Sequence, residues 1–116
     1  MSKNPTALAF KAKGNEFFKG KQYAEAIEQY GKAIESDAND VTFFSNRSAC
    51  HAALGNWQQA ADDGRQCIII DKKFVKGYFR AGLAQQNMSR YFHARERKFF
   101  MSFWYFLYVW GTIRKP

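Results

Sequence analysis

The sequence predicts an all-α protein built as a stack of three helix–turn–helix units, the third atypical. Three observations predict it. Tyr23, Trp57 and Tyr91 are evenly spaced, and the same interval separates Ala26, Ala60 and Ala94, and the small residues Gly14, Ser48 and Gly82. Within each period, apolar residues recur at helical spacing. No segment alternates with the two-residue period of a strand. The units are then 7–40, 41–74 and 75–108, preceded by a short extension over 1–6.

Each unit reads as two helices. Ala7–Lys19 carries Leu8, Phe10, Phe17 and Phe18, and Gly20 after it is the expected stop. Tyr23–Ser36 places Ala26, Ile27, Tyr30, Ala33 and Ile34 on one stripe. Asp40 is a good N-cap for a helix over Val41–Leu54, and Gly55-Asn56 turns the chain into Trp57–Ile70. A fifth helix runs from near Phe74 to about Met88. The small residue of each first helix and the alanine of each second let two backbones approach closely, and the aromatic column fills the space beside the turn. A helix pair of this kind cannot bury its apolar face alone, so neighbours stack into a short superhelix with a concave side.

The 116 residues allow one domain, and an aromatic content of 18% excludes a disordered polymer. The formal charge of +8 is uneven: residues 1–88 hold 12 basic and 9 acidic side chains, and 89–116 hold 6 and 1. Cys50 and Cys67 are too few for a disulfide framework and have no metal-ligand spacing, so core packing is expected, with no metal or cofactor. The first residues open no apolar run, which makes the reducing cytoplasm the expected compartment. Asn46-Arg47-Ser48 and Asn87-Met88-Ser89 match the glycosylation acceptor pattern by coincidence on this reading. Cys50-His51 resembles a catalytic dyad in print, but adjacent helical residues point about 100° apart and no third, orienting group is evident. No catalytic residue is expected.

A basic constellation is predicted on the concave face, which the first helix of each unit lines. Lys11 and Asn15 are i, i+4 on the first, and Lys76 and Arg80 are i, i+4 on the third. Asn46 lies one full period before Arg80, and Glu16 points away by helical phase. Ammonium, guanidinium and carboxamide groups together donate hydrogen bonds to a carboxylate from several directions. Singly, each cation would be an ordinary solvated side chain. Phe18 and Phe79 share the inner face, where they either floor a pocket for apolar ligand residues or pack against the neighbouring helix.

In the length of its period, and over residues 7–94, the chain resembles the tetratricopeptide repeat family, with Ala38 and Lys72 where a terminal proline is usual. The resemblance implies a right-handed superhelix. Lys11-Ala12-Lys13-Gly14-Asn15, Ser45-Asn46-Arg47-Ser48 and Lys76-Gly77-Tyr78-Phe79-Arg80 are similar to the two-carboxylate clamp of co-chaperone tetratricopeptide domains, nearest the stress-inducible Hop type. That resemblance implies a non-catalytic adaptor binding the C-terminal Glu-Glu-Val-Asp of the 70-kDa or 90-kDa heat-shock chaperones. Lys11, Asn15 and Asn46 would grip the main-chain carboxylate, with Lys76 and Arg80 serving the Asp side chain and upstream acids. A general scaffold for another acidic peptide and a membrane-associated protein are the alternatives.

Residues 95–116 form a basic and aromatic tail, with eleven apolar side chains between 99 and 110. Four readings of it stand: a last repeat helix with surplus aromatics, an interfacial membrane segment over 95–115, a nucleic-acid contact, or a change of reading frame near Met88–Ala94. The last is favoured, combined with a partly packed helix. Nucleic acid is not the expected partner, and residues 99–110 are expected to make the chain self-associate or bind lipid.

Overall fold

The computed structural model describes residues 2–90, and the readings made of Tyr91, Ala94 and the tail 95–116 lie outside them. Four helices, α1 (Pro5–Lys19), α2 (Tyr23–Ser36), α3 (Val41–Ala53) and α4 (Trp57–Ile70), pair as two antiparallel hairpins. A fifth helical stretch, α5, covers residues 75–90 and packs on α4. No described residue is in a strand.

Helix α1 begins two residues earlier than the pattern suggests. Asn4 is its N-cap, accepting from the N–H groups of Thr6 at 2.9 Å and Ala7 at 3.2 Å, and Pro5 takes the first helical position, where its missing N–H costs nothing. Ser2 N–H also donates to Asp40 Oδ2 at 2.8 Å, so this end of the chain is tied to the start of α3 rather than extending freely. Asp40 caps α3 as expected, taking hydrogen bonds from the Thr42 N–H and hydroxyl. Burial opposes ionisation of its carboxyl, which is only 2% exposed, but those bonds, the Ser2 N–H and nearby Lys11 outweigh it and hold its pKa below the usual carboxylate range.

The turns between paired helices share one geometry, and Gly20 is the C-cap of α1 as expected. Gly20 ends α1 at φ −82°, an ordinary value, and the left-handed residue is Lys21 at φ 59°. Gln22 N–H bonds to Phe17 O at 2.9 Å and Lys21 N–H to Phe18 O at 3.0 Å, the two reversed bonds of a Schellman ending. The second unit makes the same turn one period later with Gly55 at φ 78°, Asn56 N–H on His51 O and Gly55 N–H on Ala52 O. Only the second unit has glycine where the backbone needs it. Lys21→Gly is therefore expected to stabilise the fold by about 1 kcal/mol, read as a rise in the thermal midpoint. The third unit departs at this same point: Ser89, the equivalent residue, is still helical, so α5 runs past Met88 to the last described residue.

Between units the chain turns on Asp37 and Asp71, whose Oδ1 atoms each accept from the N–H two residues on, Asn39 and Lys73, at 3.0 Å. These Asx turns do what a proline would otherwise do. The repeated columns then pack as their sizes require. A Cβ at position 14 would lie 2.6 Å from Tyr30 Cε1, so α1 and α2 touch where only glycine fits. At the matching place in the second unit the Ser48 hydroxyl donates to Ala60 O at 2.8 Å. Ala26 and Ala60 are buried, with Tyr23 and Trp57 packed beside them. The α4–α5 seam is equally close: a Cβ at Gly64 would meet Ala81 N at 2.6 Å, and one at Gly77 would meet Cys67 Cβ at 2.8 Å. These contacts set α5 beside α3 and place Arg80 opposite α1.

Candidate functional site

A pocket of about 150 Å³ opens where α1, α3 and α5 face one another. Asn15 and Phe18 from α1, Tyr30 from α2, Asn46 and Ala49 from α3 and Arg80 from α5 line it. Three of the five expected polar residues therefore converge. Arg80 is the single charged group in the lining and no carboxylate reaches it among the described residues; Glu16 lies on α1 outside the lining. The guanidinium stacks on the Phe79 ring at 5.7 Å, and its Nε is buried with no hydrogen-bond partner among the described residues. A buried donor on a cation is costly to leave unpaired. An anion entering the pocket would remove that cost.

The two carboxamides are coupled. Asn15 Oδ1 accepts from the Tyr30 hydroxyl at 2.6 Å and from Asn46 Nδ2 at 3.4 Å. With Oδ1 occupied twice, the Asn15 Nδ2 hydrogens have no acceptor among the described residues. Burial, with a smaller effect from Cys50, pushes the Tyr30 phenol up to about 12, so it remains a donor at neutral pH.

The other expected residues flank the pocket instead of lining it. The Lys11 ammonium, one turn before Asn15, lies over the Phe43 ring at 5.9 Å and is close enough to Asp40 to favour its ionised form. Lys76, one turn before Arg80, is exposed. Phe18 floors the pocket, 39% exposed and edge-on to Tyr23 with ring centroids 5.6 Å apart. Phe79, 58% exposed, serves Arg80 from outside the lining.

Sequence reasoning missed Tyr30, which it placed only on the buried stripe of α2. The signal was Gly14: a residue that admits a neighbour's ring one position before Asn15 brings that ring's hydroxyl to Asn15. It also missed a partner for His51. Asp63 of α4 lies 3.9 Å from His51 Nε2, so an acidic group does stand beside the Cys50-His51 pair. That carboxylate is committed to Arg47, bonded from Nε at 2.9 Å and Nη2 at 2.8 Å, and the fork raises the Arg47 pKa. Burial, offset in part by Asp63, lowers the His51 pKa, and its Nδ1 has no partner among the described residues. Burial pushes the Cys50 and Cys67 thiols up to about 11, opposite to what a nucleophile needs. Both are free and fully buried, in keeping with core packing. Among the described residues no cluster has the make-up of a metal site, and no helix is long and apolar enough to cross a membrane.

Comparison with known proteins agrees with this architecture. The sequence pattern of the TPR repeat matches residues 14–55. The TPR domain of Arabidopsis OM64 superposes with a TM-score of 0.71 at 38% identity, over 77% of this chain and 74% of that one. The chain belongs to the tetratricopeptide repeat family. Among curated proteins, Hsp70-Hsp90 organizing protein 3 of Arabidopsis thaliana is 44% identical over 84 residues, which are 72% of this chain and 15% of that protein's length. The chain thus spans about a seventh of that relative. A tetratricopeptide neighbour with its ligand in place is the first TPR of Spaghetti (RPAP3) bound to the HSP90 peptide SRMEEVD, at 29% identity and a TM-score of 0.71 over 73% of this chain and 68% of that one.

Proposed function

We propose that this tetratricopeptide domain is a non-catalytic, cytoplasmic adaptor that captures the acidic C-terminal Glu-Glu-Val-Asp tail of a 70-kDa or 90-kDa class heat-shock chaperone. The observation that carries the proposal is Arg80, the single cation of a pocket whose other polar groups are two carboxamides and the Tyr30 phenol, with an Nε that is buried and has no hydrogen-bond partner among the described residues. Such a site suits an anion with more than one acceptor, and a peptide ending in Asp brings two adjacent carboxylates. Asn15, Asn46 and Arg80 would bind at the pocket, with Lys11 and Lys76 closing on the ligand from one turn away on their helices. Phe18 would receive an apolar ligand side chain, and Phe79 would hold the guanidinium flat. The peptide carried by the RPAP3 neighbour and the co-chaperone relatives support the choice of ligand. The inert thiol of Cys50 and the committed carboxylate of Asp63 support a binding role over a catalytic one.

Titration with a peptide ending in Glu-Glu-Val-Asp tests this. The free acid is expected to bind with a Kd of about 1 μM, about −8 kcal/mol. Its C-terminal amide should bind at least roughly tenfold more weakly, a difference of about 1.4 kcal/mol, because it loses charge and turns a donor toward the donors of the pocket. Equal affinities would refute the carboxylate mechanism.

A further inference from the structure

We infer that Tyr30 is a positioning residue that sets which end of the Asn15 carboxamide faces the pocket, and so makes the site select an acceptor. The inference rests on the carboxylate-binding reading of that pocket. A carboxamide is two-faced: turned one way it offers two N–H donors, turned the other it offers a lone pair that repels an anion. Something must choose between the two before a ligand arrives.

The choice begins with Gly14. A Cβ there would sit 2.6, 2.8 and 3.0 Å from three atoms of the Tyr30 ring, so the ring is held against α1 with no room to slide. Tyr30 is 1% exposed, and its hydroxyl reaches Asn15 Oδ1 at 2.6 Å, a short bond for this type. The phenol alone could also accept, but Asn46 Nδ2 points at the same oxygen from α3. With the phenol protonated and Asn46 donating, two donors meet one acceptor. The opposite orientation of Asn15 would set its NH₂ against the NH₂ of Asn46. The donors of Asn15 are thereby reserved for the pocket. Tyr30 also borders the pocket, but its hydroxyl is taken up by Asn15 Oδ1, so it acts through Asn15.

The test uses the full chain in four forms: unchanged, Tyr30→Phe, Asn15→Ala and the double variant. Each is titrated with the Glu-Glu-Val-Asp free acid and with its amide. Tyr30→Phe keeps the ring that fills the space at Gly14 and removes only the hydroxyl. Free-acid affinity is expected to fall on the order of fivefold, as for loss of one neutral hydrogen bond, with amide affinity unchanged. In the Asn15→Ala background the same change should have no effect, because the group it positions is gone. A fivefold loss that persists in that background, an equal loss for acid and amide, or no loss at all would each overturn the inference. If the unchanged chain itself fails to distinguish acid from amide, the carboxylate reading falls and this inference falls with it, a result distinct from an inert Tyr30→Phe. Nitrogen-15 NMR of the unmutated chain supplies a readout that folding defects cannot mimic. The Asn15 side-chain NH₂ signals should shift further on saturation with the free acid than with the amide; signals unmoved by the acid would also overturn the proposal.

Discussion

Arg80→Ala is expected to abolish most of the affinity for an acidic, carboxylate-terminated peptide while leaving the melting temperature unchanged or slightly raised. The two effects have one cause. In the unliganded chain the guanidinium Nε is buried and unpartnered, so removing it relieves a desolvation cost that offsets the lost packing of the side chain and its stacking on Phe79. In the complex the same group would make charge-assisted hydrogen bonds, whose loss costs about 1.5–3 kcal/mol, roughly ten- to more than a hundredfold in Kd. Arg80→Lys keeps the charge but not the planar fork, and should recover only part of the loss. Calorimetric titration and thermal melts on the same samples check both halves. A melting temperature that falls along with the affinity would make Arg80 a structural residue.

Gly64→Val should be the most damaging single change in the described part of the fold, and should also impair binding although Gly64 does not touch the pocket. The atoms that a Cβ would strike at 2.6 and 2.9 Å are Ala81 N and Cα, which belong to backbone and cannot rotate aside. Helix α5 must therefore move off α4, at the expense of about 3 kcal/mol, the upper end of overpacking costs. Arg80 precedes Ala81, so the displacement carries the cation away from Asn15 and Asn46. Gly64→Ala meets the same backbone atoms and should reproduce the defect in milder form. Denaturant unfolding and peptide titration of the two variants measure it; a Gly64→Val chain with unchanged stability would mean that the seam is not rigid.

How much of this was legible beforehand depends on what periodicity encodes. A constant repeat length and apolar stripes report which residues share a helix face, and they delivered the hairpins, the alanine and small-residue columns, and the convergence of Asn15, Asn46 and Arg80. They do not report where a side chain ends. Tyr30 reads as core because its ring is core; its hydroxyl becomes functional only through the local contact of α1 and α2 at Gly14. Gly20 was legible as the stop of α1, but the left-handed residue after it was not, because a lysine occupies that position, held there by the two Schellman bonds. Asp63 was readable in principle. It falls three residues after Ala60 and four before Cys67, on the buried stripe of α4, and a carboxylate there requires a partner such as Arg47.

The pocket takes its walls from three successive units, and α5 joins the rest through the close seam at Gly64, Gly77 and Ala81 and the cluster of Ala84 with Ala60 and Ala61. Each moment in which α5 separates from α4 removes Arg80 and erases the site altogether. Apparent affinity is then the intrinsic affinity scaled by the fraction of molecules in which α5 is docked. Ligand in turn favours the docked form by the same factor. A substitution anywhere along α4 or α5 that alters this population would change binding without altering any contact to the peptide, and the groove would report how firmly α5 is held.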